Sequence, residues 1–377
     1  MIQTIEGPSP YRAVRLLKEG ERFQIAAGKD EKGNTLVLRA IHYGAEASSG
    51  EITGRRLGLR RQYEYLEALG GRGKVPRAID WLMLEESPVE PPPEPLLVEE
   101  YIEGTSLFEY MEKTYPEGMA PEEALKLLDG LSDLVAETHK QKWLLRDFDP
   151  RRFLLNSGGE LCLVSTGSVV KMGAPLDETQ LSFHPAYVAP EIRDELTGSM
   201  QRPTADLYGM GCLLSFLVTG EEPREQVESP LSFNAYERLK KWELPGLELL
   251  IARLLQPLAK KRIGRAERLK TFLSLEDLPR REDRGFEMTM LPAPWLGLNM
   301  ENPESNRGLR SSLSPGPLVS IGRGSDQPAE KAQVQKTPEE MSEGNGESSL
   351  HWQGILIFVV LILLALAYSF LFSSRAG

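Results

Sequence analysis

The sequence predicts an α+β protein in two lobes, a small β-rich N-terminal lobe on a larger helical C-terminal lobe, with one C-terminal transmembrane helix. Strand-like runs come before Gly104 and helix-like runs after it, a segregation that points to α+β rather than to alternating βαβ units. Apolar residues are 41% and charged residues 26% of the 377-residue chain, enough to bury a sizeable core. Residues 354–372, GILIFVVLILLALAYSFLF, carry no charge. At about 1.5 Å per residue that run is roughly 28 Å long, close to the hydrocarbon thickness of a bilayer.

The first elements are strands. FQIAAGKDEKGNTLVLRAI holds two β-rich runs around a turn-prone Lys-Asp-Glu-Lys-Gly-Asn, which predicts a hairpin. RRLGLRRQYEYLEALG follows as a helix, with Leu59, Tyr63, Leu66 and Leu69 on one stripe and Gly70-Gly71 closing it. VPRAIDWLMLEE and PLLVEEYIEG are two further strands, separated by the proline-rich loop SPVEPPPEP. Beyond Gly104, PEEALKLLDGLSDLVAETHKQ opens a helix at Pro121 and lines up Leu125, Leu128, Leu131 and Leu134. ADLYGMGCLLSFLVTG is apolar almost all round and is expected to be a buried helix.

Residues 280–350 are rich in Pro, Gly, Ser and Glu and cannot bury enough apolar surface to offset their ordering entropy, so a flexible linker is expected there. The anchor at 354–372 follows. MIQTIEGPSPYRAVRLLKEGE has no apolar run of signal-peptide length, which places the large domain in the cytosol with a single-pass C-terminal membrane anchor. The net charge of −11 argues against nucleic acid as a partner. Cys162 and Cys212 lie in apolar runs and read as buried free thiols in a reducing compartment. His42, His139, His184 and His351 show no metal-ligand spacing, so no zinc site is expected.

Four stretches, in order, resemble landmarks of one family. ETHKQKWLLRDFDPRRFLL resembles a helix end and the catalytic loop His-Arg-Asp-Leu-Lys-Pro-Glu-Asn. YVAPEI resembles the Ala-Pro-Glu motif, TADLYGMGCLLSFLVTGEEP the Asp-x-Trp-Ser-x-Gly helix with its Thr-Gly-x-x-Pro end, and LLQPLAKKRIG a late motif that contributes an arginine. On these landmarks residues 11–276 resemble a eukaryotic-type Ser/Thr protein kinase domain. The resemblance implies a two-lobed kinase-like fold and ATP as cofactor. It makes Asp147 the catalytic base and Arg146 the arginine that meets a phosphorylated activation loop. Glu191 and Arg262 become a structural ion pair, Asp206 the holder of the catalytic-loop backbone and Gly167 the last residue of the second metal motif. His139 takes a packing role, and Thr179 and Ser182 lie where phosphosites would be.

Kinase chemistry is mainly positioning and charge neutralisation, and the residues that supply both depart from the pattern. In the phosphate-covering loop, LKEGERFQI, only Gly20 matches, with Lys18 and Phe23 at the outer glycines. Ile25 and Val37 correspond to nucleotide-binding positions, Val37 narrowing the adenine slot. Arg39 replaces the lysine of Val-Ala-Ile-Lys, and Gln62 stands where its orienting glutamate belongs, Glu64 facing elsewhere. Leu145 replaces the loop histidine, Asp149 the lysine and Arg152 the magnesium-binding asparagine. Asp-Phe-Gly becomes Ser165-Thr166-Gly167. Magnesium prefers oxygen ligands, so these changes argue against it and leave no metal site to assign.

Taken together, the departures at Phe23, Arg39, Gln62, Arg152 and Ser165 point to a pseudokinase: a membrane-anchored signalling or interaction module with a protein partner. Two alternatives stay open at this level. One is an atypical active Ser/Thr kinase using Asp147. The other is a magnesium-independent nucleotide sensor in which Arg152 supplies the missing positive charge.

Overall fold

The computed structural model describes residues 10–20, 22–42, 48–71, 73–84, 94–173, 183–193, 202–225, 230–287 and 289. The N-terminal lobe is a five-stranded antiparallel sheet in the order β1-β2-β3-β5-β4. Its strands are β1 (Tyr11–Glu19), β2 (Phe23–Asp30), β3 (Thr35–Ile41), β4 (Ala78–Leu84) and β5 (Glu94–Glu100), with helix α1 (Ser49–Leu69) between β3 and β4. The β2–β3 hairpin forms where expected. Asp30 closes its turn by accepting from the Lys32 and Asn34 amides at 2.9 and 2.8 Å. Strand β1, which lies in a stretch without a clear alternating pattern, is an addition to the sequence reading.

Paired antiparallel residues share a face, so the register sorts the lobe's side chains. Leu36, Leu38, Leu96 and Val98 form a buried cluster on one face. The sheet curls over that face until Tyr11, on one edge strand, donates to Asp80 on the other at 3.1 Å. Residues Phe23, Ile25 and Ala27 pair with Ile41, Arg39 and Val37 on the opposite face. Ile41 and Leu97 on that face join the large core that continues through α1 into the helical lobe.

Helix α1 begins with a capping box between Ser48 and Glu51. Its buried residues are Gly54, Gly58, Leu59, Gln62, Tyr65, Leu66 and Leu69, and Tyr63, partly buried, packs against the same core. A spacing of 3.6 residues per turn carries the core face from Leu59 through Gln62 to Leu66 and Leu69, with Tyr65 on one flank and Tyr63 on the other. Tyr65 packs edge-on against Trp143 at 5.6 Å, whereas Tyr63 is half-buried beside Trp81 at 5.3 Å. Gly70 caps the helix in an extended conformation. A Cβ there would lie 2.4 Å from the Leu66 and Pro76 carbonyls, so the glycine is needed for close approach.

After two-residue strand β6 (Thr105–Ser106) come α2 (Leu107–Thr114), α3 (Pro121–Lys140), β7 (Trp143–Leu144), β8 (Phe153–Leu155), β9 (Leu161–Leu163) and β10 (Val170–Lys171). Strands β6, β8 and β9 form one small sheet, and β7 and β10 another. The lobe ends with α4 (Pro190–Arg193), α5 (Pro203–Thr219), α6 (Phe233–Lys240), α7 (Pro245–Leu254) and α8 (Ala266–Lys270). Helix α3 starts at Pro121 and buries Leu125, Leu128, Leu131 and Leu134 as expected. Helix α5 is buried from Ala205 to Thr219 and forms the axis of the lobe. Cys162 and Cys212 are free and buried.

Packing continues past the expected limit at residue 276. Phe286 is buried in the main core and meets Phe272 edge-on at 5.2 Å, so the first residues of the expected linker belong to the folded body. The reason is a lone aromatic in a polar stretch, invisible to a composition argument. Among the described residues no helix is long and apolar enough to cross a membrane. The expected anchor at 354–372, the rest of the linker, and Thr179 and Ser182 lie outside the described residues.

Candidate active site

The catalytic-loop segment is built on Asp206 at the start of α5. Its wholly buried carboxylate accepts from the Leu145 amide at 3.0 Å, the Arg146 amide at 2.7 Å and His139 Nε2 at 2.8 Å. This holds Arg146 at a φ of +69°, a backbone conformation that costs a non-glycine residue energy. Phe148 docks against α5 at Gly209, where a Cβ would come within 2.3 Å of its ring. Ser168 Oγ donates to the Leu145 carbonyl at 2.7 Å, and Gly167 is buried in the adjoining turn.

Asp147 is buried at the centre. Its Oδ1 accepts from the Asp149 amide at 2.9 Å, and its Oδ2 from the His184 amide at 2.8 Å and from Arg152 Nε at 2.7 Å. The side chain is 0% exposed and that of Arg152 is 9% exposed, so this is a desolvated ion pair. Arg152 Nη1 also donates to the Ser165 carbonyl at 3.2 Å and lies 3.5 Å from Ser165 Oγ. The guanidinium therefore bridges the candidate base and the residue standing in place of the second metal-binding aspartate. The two positions that the resemblance assigns to the metal are thus a guanidinium and the residue whose carbonyl it binds.

The face of the sheet turned toward this loop carries the other expected ligand-binding residues. Ile25 pairs with Arg39, and Val37 with Glu99, so these four side chains share it. Arg39 is held by β5: its Nε donates to Glu99 Oε1 at 2.8 Å, and its Nη2 lies 2.6 Å from the same oxygen. Arg39 Nη2 reaches on to the Val164 carbonyl at 3.3 Å. Burial pushes the Glu99 carboxyl up, and the Arg39 charge draws it back. Gln62 turns its amide to the Gly58 carbonyl at 3.4 Å and accepts from Thr166 Oγ1 at 3.4 Å. Glu64 points to Lys171 at 3.1 Å, away from Arg39 as expected. Gly20 sits in a tight turn, its amide donating to the Phe23 carbonyl at 3.0 Å and its carbonyl 2.7 Å from His42 Nδ1.

Sequence reasoning missed Glu99. The available signal was alternation in PLLVEE, which puts Glu99 on the same face as buried Leu97. It also missed a brace on the outer side of the loop. Arg151 binds Glu222 through both nitrogens at 2.9 and 2.7 Å and stacks over Phe108 at 3.5 Å. The hydrogen bonds from Arg151 hold the Glu222 carboxyl below its ordinary range.

Two further expected residues, Arg262 and Arg146, are buried. Arg262 forms a bidentate pair with Glu191 at 2.6 and 2.7 Å and donates to the Thr204 and Pro257 carbonyls at 3.1 and 2.8 Å, tying α4 to α5. Arg146 buries its guanidinium with no hydrogen-bond partner for Nε, Nη1 or Nη2, facing the Phe183 ring at 5.7 Å. Burial, with Arg61 nearby, draws its pKa down to about 10.

The residues present do not fit a magnesium ion. Neither expected ligand position offers a carboxylate: one is Arg152, and the other is Ser165, whose carbonyl already accepts from Arg152. Among the described residues no group of three or more His, Cys, Asp or Glu could hold a metal.

Comparison with known sequences gives one family and partial relatives. The profile described as Protein kinase domain matches residues 83–271. The maternal embryonic leucine zipper kinase of Xenopus laevis is 30% identical over 182 residues, 46% of this chain and 27% of that protein. Serine/threonine-protein kinase F of Synechocystis sp. is 26% identical over 188 residues, 47% of this chain and 36% of that protein. CBL-interacting serine/threonine-protein kinase 8 of Arabidopsis thaliana is 29% identical over 189 residues, 48% of this chain and 41% of that protein. The chain thus spans well under half the length of these curated relatives.

Proposed function

We propose, from the premise that this chain belongs to the protein kinase domain family, that it is a membrane-anchored pseudokinase. Its kinase-like lobes serve as a signalling or interaction module for a protein partner and do not transfer phosphate. The observation that carries the reading is the Arg152 guanidinium, ion-paired with Asp147 at 2.7 Å and hydrogen-bonded to the Ser165 carbonyl. A general base works when it can reach the proton it abstracts, and phosphoryl transfer needs cations on the phosphates. Here the carboxylate is engaged by three donors and the cation position is taken by a side chain.

The scaffold contacts support a rigid display role. Asp206, Glu191 and Arg262 hold the loop and the following helices as they would in an enzyme. The charge-free run at 354–372 supports the membrane anchor, and the linker before it gives the module reach along the membrane.

The test is phosphotransfer from labelled ATP, in magnesium or manganese, to the chain itself and to generic Ser/Thr substrates. No transfer above the Asp147→Asn control is expected. Transfer that Asp147→Asn abolishes overturns the reading and makes the chain an atypical active kinase.

A further inference from the structure

The turn that joins α7 to α8 concentrates positive charge on a chain that is acidic overall. Residues 249–266, LLIARLLQPLAKKRIGRA, carry five cations and no acid, against a net charge of −11 for the whole chain. Two of the five are engaged: Arg262 is buried in its pair with Glu191, and Arg253 faces the Phe286 ring at 6.0 Å. The other three, Lys260, Lys261 and Arg265, are exposed and, among the described residues, make no ion pair or side-chain hydrogen bond. Between them Arg262 and Ile263 are buried, so the turn sorts its paired cation inward and its unpaired ones outward. Leu258, at the start of the turn, is 51% exposed. An exposed leucine among uncompensated cations suits an anionic lipid surface: headgroup charge attracts the cations, and the apolar side chain enters the acyl boundary.

The path of the chain selects this surface. The last described residues pack against both helices that flank the turn. Arg268 of α8 donates to the Arg284 carbonyl at 2.7 Å, and Arg253 Nη1 of α7 lies 3.5 Å from Thr289 Oγ1. The folded body therefore passes its chain on beside the turn, toward the charge-free run at 354–372. The 64 residues of 290–353 lie between; a linker of that length and composition reaches roughly 45 Å, close enough for a weak contact with the bilayer to be filled. A second exposed apolar and basic surface, Val14, Leu16 and Leu17 among Arg12, Arg15 and Lys18 on β1, lies at the edge of the N-terminal sheet and has no such tie to the exit.

We infer that the α7–α8 turn, through Leu258, Lys260, Lys261 and Arg265, is a docking surface for an anionic phospholipid bilayer, holding this end of the helical lobe against the membrane. The inference rests on the membrane-anchored part of the proposed function and not on its catalytic part. Each cation at such a surface is worth about fivefold in binding, so the three together are worth on the order of 100-fold.

The experiment is pulsed hydrogen exchange on the full chain reconstituted in vesicles of phosphatidylcholine alone, and of phosphatidylcholine with about 30 mol% phosphatidylserine. Amides of residues 258–265 are expected to exchange at least about tenfold more slowly on the anionic vesicles, a difference that vanishes in about 1 M salt, where the screening length is about 3 Å. The triple variant Lys260→Ala, Lys261→Ala, Arg265→Ala, all at exposed positions, is expected to abolish the difference.

Equal exchange on the two kinds of vesicle overturns the inference and needs no variant to fold. A difference that the triple variant keeps overturns it as well, as does one confined to β1. Retention on neutral vesicles in alkaline carbonate reads the anchor separately. A chain that washes off yet shows the phosphatidylserine-dependent protection loses the anchor and keeps the docking surface. A chain that stays on without that protection keeps the anchor and loses the docking surface.

Discussion

Arg152→Met is the sharpest perturbation of the candidate site. It removes the cation facing Asp147 and leaves the two amide donors, from Asp149 and His184, on a carboxylate with 0% exposure. Breaking a buried ion pair from one side costs ~3–5 kcal/mol, because the remaining charge stays buried without its counter-ion. The two amides each stabilise a charged acceptor by ~1.5–3 kcal/mol and are retained, so the lower end, about 3 kcal/mol, is expected. At about 2–4 °C per kcal/mol for a domain of this size, the melting temperature falls by about 6–12 °C. Adding Asp147→Asn to Arg152→Met removes the uncompensated charge and recovers more than half of the loss. The assay is differential scanning calorimetry of the two variants beside wild type. A loss under about 1 kcal/mol for Arg152→Met would refute the reasoning, because it would place the guanidinium in solvent.

Two other substitutions probe charges elsewhere in the fold. Arg146→Met is expected to raise the melting temperature by at least about 2 °C, since it replaces a buried guanidinium without hydrogen bonds by an apolar chain of similar length; a fall in calorimetry would show that the arginine finds a partner. For Glu222, the Arg151 hydrogen bonds hold the folded pKa below the ordinary 4.5, so its contribution is present above 4.5 and is lost as pH falls through the folded value. Thermal melts from about pH 7 down to about pH 3 are therefore expected to separate wild type from Glu222→Gln at neutral pH and bring them together in acid. A constant gap would contradict the assignment.

What could be read from the sequence divides by range. Helices α3 and α5 were legible because their signals are local: a leucine stripe after Pro121 in one, an unbroken apolar surface in the other. Asp206, Glu191 and Arg262 were placed through resemblance, and their long-range contacts follow from the scaffold the family shares. The β1 strand escaped because all nine of its residues are partly or fully exposed and carry no clean alternation.

At the site itself the substitutions were visible and their consequences were not. Arg152 read as a positive charge available to a ligand, yet its guanidinium turns to Asp147, five residues before it. Arg39 read as a loose cation without its usual partner on α1. It recruits Glu99 from across the sheet, 60 residues away, a pairing that only strand register reveals. Residue types can be taken from a motif, but which charge neutralises which depends on the geometry between elements.

The most direct test of the central claim is anomalous diffraction from crystals of the protein grown in millimolar manganese chloride. The Arg152 guanidinium is expected between Asp147 and Ser165, with no manganese peak within coordination distance of Asp147. A manganese ion ligated by Asp147, with Arg152 displaced from it, would contradict the account.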